Sequence, residues 1–318
     1  MPRLKLTIVT PVFNEEEVIS HFYTRTRQVL DQLENVDSDI IFVVDRSTDK
    51  TLDILRGIVS MDSASKVIAL SSRFGHQMSL LAGIENAAAA DVIVMMDSDL
   101  QHPPELIPKL LAEFCAGADV VYTIRRDTDD IGFFRRTLGN LFYRLLGFLA
   151  RVPINANAAD FRLISRRVAL SLTNDFQERN MFLRGVFSWI GFRQTSIEYV
   201  AERRFAGESK YSLSRMLQLA MAGILSFSTK PLYIGIFVGV GFAALALFFM
   251  LGTVISYFID RSIPSGWTTI VTLLLLFSGV QLIVIGIMGA YIGGIYEEVK
   301  GRPRYIIEEV ISRRAESR

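Results

Sequence analysis

The chain has 318 residues, of which 50% are hydrophobic, with a formal net charge of +1 and a mean hydropathy of +0.33. This length has room for two domains, or for one domain with appended elements, and the hydropathy is high for a wholly soluble enzyme. The one cysteine, Cys115, excludes an internal disulfide and fits a reducing compartment.

In chain order, Met1–Thr10 (MPRLKLTIVT) lacks a long apolar core and a cleavage site, so no secretory signal is expected. Leu4–Thr10 instead opens a series of short β-branched runs, continued by Asp39–Val44 (DIIFVV), Lys66–Leu70 (KVIAL), Val92–Met96 (VIVMM) and Asp119–Thr123 (DVVYT). Helix-like segments separate the first four. In the first such segment, Asn14 is placed to cap a helix whose first turn is Glu15, Glu16 and Glu17, with apolar positions at Val18, Phe22, Val29 and Leu33. Alternation of this kind predicts an α/β fold with an open, mostly parallel sheet. Further on, Phe133–Arg151 (FFRRTLGNLFYRLLGFLAR) mixes Phe and Leu with Arg135, Arg136, Arg144 and Arg151, the pattern of a helix lying in a membrane interface. Ser212–Lys230 is similar. The alternative for both is an ordinary docking helix.

After Pro231 the chain turns strongly apolar. Residues 233–259 and 267–296 carry no charge, and each exceeds the about 20 helical residues that a bilayer core requires. Gly235, Gly239 and Gly241 in the first, and Gly286, Gly289 and Gly293 in the second, are spaced for close helix contact. A pair of buried core helices is the competing reading. The link Asp260–Gly266 (DRSIPSG) is short, which predicts a hairpin. It offers only Arg261, whereas Lys230 precedes the first stretch and Lys300, Arg302, Arg304, Arg313 and Arg314 follow the second. The excess of basic residues on the flanks places both termini and the large N-terminal domain in the cytoplasm. The expected division is a domain over 1–211, with a candidate interfacial helix over 133–151, a juxtamembrane amphipathic helix over 212–230, a transmembrane hairpin over 231–297 and a basic cytoplasmic tail over 298–318.

Open α/β sheets bind ligands at the carboxyl ends of their strands. Here those ends read Pro11-Val12-Phe13-Asn14-Glu15, Asp45-Arg46-Ser47-Thr48-Asp49, Ser71-Ser72-Arg73-Phe74-Gly75-His76 and Asp97-Ser98-Asp99. Asp97 and Asp99 are hard oxygen donors suited to Mg2+ or Mn2+ rather than zinc. Two carboxylates do not cage such an ion alone; water and the oxygens of a bound diphosphate complete it. The plainer reading of the pair is an acidic turn. No GxxxxGK[ST] or GxGxxG follows a strand and no GxSxG elbow is present, so phosphate-loop, dinucleotide and serine-hydrolase readings lose their main support. Of the three histidines, His21 reads as structural, while His76 and His102 lie on the cleft edge and their roles stay open.

The segments TPVFNEEE, DSDLQHPPEL, ADFRLISRRV, ERNMFLRGVFSWIGF and RRFAGESKYSLSRM occur in order and are followed by an apolar hairpin. Together they resemble the polyprenyl-phosphate glycosyltransferases, a branch of glycosyltransferase family 2 that includes dolichol-phosphate mannose synthase and the bacterial bactoprenol glucosyltransferases. The similarity runs from Leu4 to about Arg304. It implies a Rossmann-like GT-A domain with interfacial helices and a two-helix transmembrane hairpin, in a bacterial inner-membrane enzyme.

The resemblance also implies roles. Pro11, Phe13 and Glu15 match the segment that holds the nucleotide base and ribose, with Phe13 where the family commonly has Tyr. Asp97, Asp99 and Gln101 match the metal site, Asp97 also facing the nucleotide. Arg204, Ser209 and Lys210 match a mobile loop that closes over the diphosphate; a solvated basic turn is the alternative there. Asp160, in ADFRL, matches an acid near the sugar or acceptor, with a positioning or base-like role. Arg125 and Arg136 are candidates for the acceptor phosphate. Where the family reads Asp-Asp-Gly-Ser, this chain reads Val44-Asp45-Arg46-Ser47. Asp45 keeps part of a nucleotide-binding role, and Arg46, replacing a glycine in a tight turn, is free to reach a phosphate.

The implied reaction is an inverting transfer of a hexose, with UDP-glucose as donor and undecaprenyl phosphate as acceptor, giving a β-linked polyprenyl-phosphate sugar for cell-envelope glycan modification. The acceptor is already an anion, so alignment and leaving-group stabilisation are the main tasks. The alternatives are a GDP-mannose enzyme acting on dolichyl or polyprenyl phosphate, a processive polysaccharide synthase, and a membrane scaffold with a degenerate transferase domain. The synthase lacks its Q-x-x-R-W motif and its additional spans here. No nucleic-acid partner is expected, and the lateral surface of the hairpin leaves room for a homo-oligomer.

Overall fold

The computed structural model describes residues 3–126, 158–179, 181–200, 228–260 and 266–313. They fall into two units, one of residues 3–126, 158–179, 181–200 and 302–313, the other of residues 228–260 and 266–301.

The first unit is built on one sheet. Its elements in chain order are β1 (Leu4–Val12), α1 (Ile19–Asp31), β2 (Val36–Val44), α2 (Thr51–Met61), β3 (Ser65–Leu70), α3 (His76–Asn86), β4 (Val92–Met95), a 3-10 turn (Pro104–Leu106), α4 (Ile107–Cys115), β5 (Val120–Arg126), β6 (Ala158–Ser165), α5 (Arg166–Asn174), α6 (Leu183–Trp189), β7 (Gln194–Val200) and β8 (Ile307–Ser312). The sheet order is β7-β5-β6-β4-β1-β2-β3-β8. The four central strands β3, β2, β1 and β4 are parallel, as the alternating runs predict. The flanks are mixed, since β6 runs antiparallel to both β4 and β5, and β8 antiparallel to β3.

Alternation along the strands sorts the core. Leu6, Ile8 and Val12 of β1 and Ile40, Phe42 and Val44 of β2 join Phe22, Leu30, Leu55, Ile107 and Leu110 from α1, α2 and α4 on one face. Helix α3 packs on the other face, where it must come very close. A Cβ on Gly83 would lie 2.2 Å from Val9 Cγ1 and 3.2 Å from Val43 Cγ2, so only glycine fits. Because the chain passes from β3 back across β1 to β4, the connections diverge between β1 and β4. A crevice opens at the carboxyl ends there, the switch point at which such sheets bind ligands.

Two expectations change. Asn14 does not cap α1, which begins at Ile19 without a side-chain cap; the amide of Asn14 is used across the loop after β2 instead, as described below. The segment expected as a basic tail contributes β8. An edge strand presents unpaired backbone groups, and β8 covers those of β3 from Lys66 to Leu70. Side-chain bonds fasten it further, with Arg304 donating to Glu85 at 2.5 Å and to the Phe176 carbonyl at 2.8 Å, Arg56 pairing with Glu309 at 2.8 Å, and the Tyr305 hydroxyl donating to Glu85.

The second unit carries α7 (Lys230–Asp260) and α8 (Trp267–Val299). Both are long and apolar enough to cross a membrane, over Lys230–Phe249 and Leu276–Val299, and no part of either window is buried. Phe237, Phe248 and Leu282 are 75%, 73% and 69% exposed, which counts against the buried-core-helix reading. Of the six glycines singled out above, Gly235 makes the close approach, with its Cβ position 3.3 Å from Val284 of α8. The other five meet no described atom within 4 Å. Phe242 and Phe277 meet edge to face at 5.2 Å, and the Tyr291 hydroxyl donates to the Ser228 carbonyl at 2.6 Å.

Candidate active site

The loops after β1 and β2 are laced together by their own polar residues. Asn14, at φ +54°, accepts the Thr48 N–H at 2.8 Å and donates its amide to Thr48 Oγ1 at 3.2 Å, while its backbone N–H reaches Ser47 Oγ at 3.0 Å. Glu15 N–H donates to Thr51 Oγ1 at 2.9 Å, and Lys50 N–H to Glu16 at 2.9 Å. This spends the polar run NEEE on loop geometry rather than on a helix cap. It leaves Pro11, Val12, Phe13 and Glu15 on one wall of a cavity of about 250 Å³, also lined by Asp45, Arg73, Gly75, His76, Ser79, Asp97, Ser98 and Asp99.

Asp45 is buried at the end of β2. Its carboxylate accepts the Phe74 N–H at 2.7 Å and the Gly75 N–H at 2.9 Å, which ties the loop after β3 to the strand beside it. Gly75, at φ +91°, makes the turn into α3. Beside Asp45, Arg46 keeps the left-handed backbone that a glycine adopts without strain, at φ +47°. Its side chain turns away from the cavity and donates to the Ser71 carbonyl. Val44, where the family's first acid stands, is 1% exposed and packs in the core.

The opposite wall gathers charge. His76, the first residue of α3, contacts Asp97 with Nε2 2.7 Å from Oδ1. Burial pushes against its charge, but the Asp97 carboxylate and then that of Asp160 overcome this and raise the imidazole to about 9. For Asp97 the reverse holds, since burial disfavours its charge and His76 outweighs it, holding the carboxyl below its usual range. His102 has a structural role. Its Nδ1 accepts the Asp97 N–H at 3.0 Å, and its ring stacks on Phe161 at 5.2 Å. Leu100, at φ +61°, bends the chain so that Asp99 Oδ1 accepts the Gln101 N–H at 3.1 Å.

On β6, Asp160 accepts two bonds from Arg184 of α6, Nε to Oδ1 and Nη2 to Oδ2, both 2.7 Å. Burial alone would raise this carboxyl, yet the Arg184 pair holds it far below the ordinary range, which makes it a weak base. Two residues along, on the same face of the strand, Arg162 is buried beneath the Phe187 ring at 4.4 Å. Burial lowers its guanidinium to about 10, partly offset by Asp160.

The structure therefore brings Pro11, Phe13, Glu15, Asp45, Asp97 and Asp99 around one cavity. Gln101 and Arg125 lie outside that lining and meet each other, Nη1 to Oε1, at 3.5 Å. Asp160 is engaged with Arg184. Arg136, Arg204, Ser209 and Lys210 fall outside the described residues. Sequence reasoning placed Arg73 at the cleft edge without giving it a role, and missed Arg162 and Arg184. Arg184 stands inside the ERNMFLRGVFSWIGF segment, and its signal was a lone arginine in an apolar helix, a residue that burial obliges to find a carboxylate.

No group of three or more His, Cys, Asp or Glu side chains is gathered as a metal cage among the described residues. The donor set nevertheless fits a hard cation, because Asp97 and Asp99 present carboxylate oxygens to the same cavity and leave positions for ligand oxygens and water.

The family model described as glycosyl transferase family 2 matches residues 7–172. An uncharacterized glycosyltransferase of Bacillus subtilis (strain 168), YkcC, is 39% identical over 306 residues, covering 96% of this chain and 94% of that protein. The prophage bactoprenol glucosyl transferase homolog of Escherichia coli (strain K12) is 36% identical over 307 residues, covering 96% and 99%. The bactoprenol glucosyl transferase of Shigella phage SfII is 36% identical over 306 residues, covering 96% and 98%. Among solved structures, that of S. aureus TarS 1-349 in complex with UDP-GlcNAc has a TM-score of 0.47 at 17% identity, covering 70% of this chain and 67% of that one.

Proposed function

Because the chain belongs to glycosyl transferase family 2 and is a glycosyltransferase, we propose that it moves glucose from UDP-glucose onto undecaprenyl phosphate. What carries this reading is that the 36% identity to relatives named bactoprenol glucosyl transferase runs over 96% of the chain, taking in both the cavity and the apolar helices. In this reading residues 1–211 are the catalytic domain, and α7 and α8 cross the bacterial inner membrane as a hairpin. Two spans return the chain to the side it left, and Lys230, Lys300, Arg302 and Arg304 make that side the cytoplasm.

Each wall of the cavity has a task. Pro11, Phe13, Glu15 and the loop held by Asp45 receive the nucleoside, and Asp97 and Asp99 face the diphosphate. Asp97, Asp99 and the Gln101 loop would hold a Mg2+ or Mn2+, which would supply positive charge to the leaving group. His76 keeps the Asp97 carboxylate ionised and aimed. Arg204, Ser209 and Lys210 add donors to the diphosphate as it departs, and Arg125 and Arg136 receive the acceptor phosphate.

Chemistry at the sugar then needs little proton transfer. A phosphate oxygen of the acceptor is an anion and attacks the anomeric carbon as the bond to the diphosphate breaks, inverting the centre from α to β. Asp160, already bonded to Arg184, fits positioning better than proton abstraction. The test is label transfer from UDP-glucose, UDP-N-acetylglucosamine and GDP-mannose to undecaprenyl phosphate by the purified full chain in detergent. A β-linked glucosyl phospholipid from UDP-glucose is expected, and its absence beside transfer from another donor sinks the glucose assignment.

A further inference from the structure

Arg46 stands where a side chain is strained, since φ values near +47° suit glycine. Its contacts show what the residue does there. The guanidinium donates to the Ser71 carbonyl at the end of β3 and lies 3.9 Å from Glu308 of β8. The N–H of the same residue, Ser71, donates to the Ile306 carbonyl at 3.0 Å. The backbone of Ser71 is thus fixed from both sides, by Ile306 just ahead of β8 at its N–H and by Arg46 at its carbonyl. Asp45 fixes the far end of the loop through Phe74 and Gly75. Between these anchors Arg73 leans over the Phe13 ring, its guanidinium carbon 4.0 Å from the ring centroid, and both side chains line the cavity.

We propose that Arg46 is a positioning residue for the nucleobase: by holding Ser71 it sets Arg73 against Phe13 as a preassembled wall of the cavity. The inference rests on reading that cavity as the nucleotide site. A guanidinium laid on an aromatic ring is flat, and its N–H edge donates to carbonyl oxygens in the plane of a base such as uracil. A free loop would have to be ordered when the nucleotide arrives, at a cost in affinity. The anchors remove that cost beforehand. The effect therefore falls on binding of the nucleotide and leaves the transfer step untouched.

Arg46→Gly removes the tether while keeping the backbone, because glycine adopts this φ without strain. With the purified full chain, calorimetric titration with UDP should show Kd raised about tenfold, the worth of one charge-assisted hydrogen bond. KM for UDP-glucose should rise in parallel, with kcat held within about twofold and Tm unchanged or higher. Arg46→Lys, which can still donate to the Ser71 carbonyl, should recover part of the affinity. Arg73→Ala should weaken UDP binding similarly, and the double variant should be no weaker than the weaker single one. Wild-type affinity in Arg46→Gly, or additive losses in the double variant, would overturn the proposal. Because the cycle reads UDP binding alone, it decides the role of Arg46 even if glucose is not the sugar transferred. A wild-type chain that binds no UDP overturns both readings.

Discussion

The two walls of the cavity are held by different forces. On the side of β1, β2 and β3 the fastenings are single bonds that engage the backbone, with Asn14 to Thr48, Glu15 to Thr51, Asp45 to Phe74 and Gly75, and Arg46 to Ser71. On the side of β4, β6 and α6 they are charge pairs, Asp97 with His76 and Asp160 with Arg184, beside the buried Arg162. Short polar bonds fix a shape, which suits recognition of a flat base. Paired charges in a partly dry cleft sustain a field, which suits a ligand whose own charge changes during reaction. Variants on either wall should therefore fail in different ways.

The largest effect is expected at the tip of the charged wall. Asp99→Asn keeps the shape and the bond from the Gln101 N–H while removing the charge. Initial rates of transfer should fall by about a hundredfold or more, with Tm within about 2 °C of wild type. Near-normal rates in saturating Mg2+ or Mn2+ would sink the assignment of Asp99 to the diphosphate side. Beneath the other wall, Gly83→Ala should act on stability instead. The new Cβ overlaps Val9, which is itself fully buried. Overpacking of this kind costs about 1–3 kcal/mol, read as a lowered denaturation midpoint. Adding Val9→Ala, which opens room for the new methyl, should return part of the loss; no recovery would place the strain elsewhere.

The same contrast separates what the sequence showed from what it hid. The central strands and the carboxylates at their ends were legible because periodicity and strand-end chemistry are local. So were the two apolar helices, from length and composition alone. β8 was not, because IEEVIS reads as a polar tail until an edge strand far away in sequence supplies its partner. Asn14 beside three glutamates makes a helix cap by every local rule, yet Thr48 and Ser47 across the loop compete for its groups and win. The Asp160–Arg184 pair joins residues 24 apart in sequence through a strand and a helix, and no spacing rule connects them. Arg46 was visible as a departure from the family pattern, but whether it faced a phosphate or a carbonyl depended on where β3 ended.

The smallest effect expected is also the one with a distinct pH signature. Asp160→Asn deletes the negative member of the Arg184 pair with little change of volume. The pair is partly accessible, with side-chain exposures of 26% for Arg184 and 20% for Asp160, so the loss should be about 1–2 kcal/mol, between the values for exposed and buried pairs. Arg184 holds the carboxyl of Asp160 well below its unfolded value of about 3.9. A depressed folded pKa stabilises fully above the unfolded one, and that contribution is lost as pH falls toward the folded value. The stability gap between wild type and Asp160→Asn should then be constant from about pH 6.5 to pH 5 and narrow below about pH 4; above about pH 6.5 it also shrinks, because Asp160 helps hold the proton on His76. Denaturation midpoints across that range measure it. A gap that widened on acidification below about pH 5 would mean that Asp160 carries its proton in the folded chain, and the carboxyl would again be a candidate base.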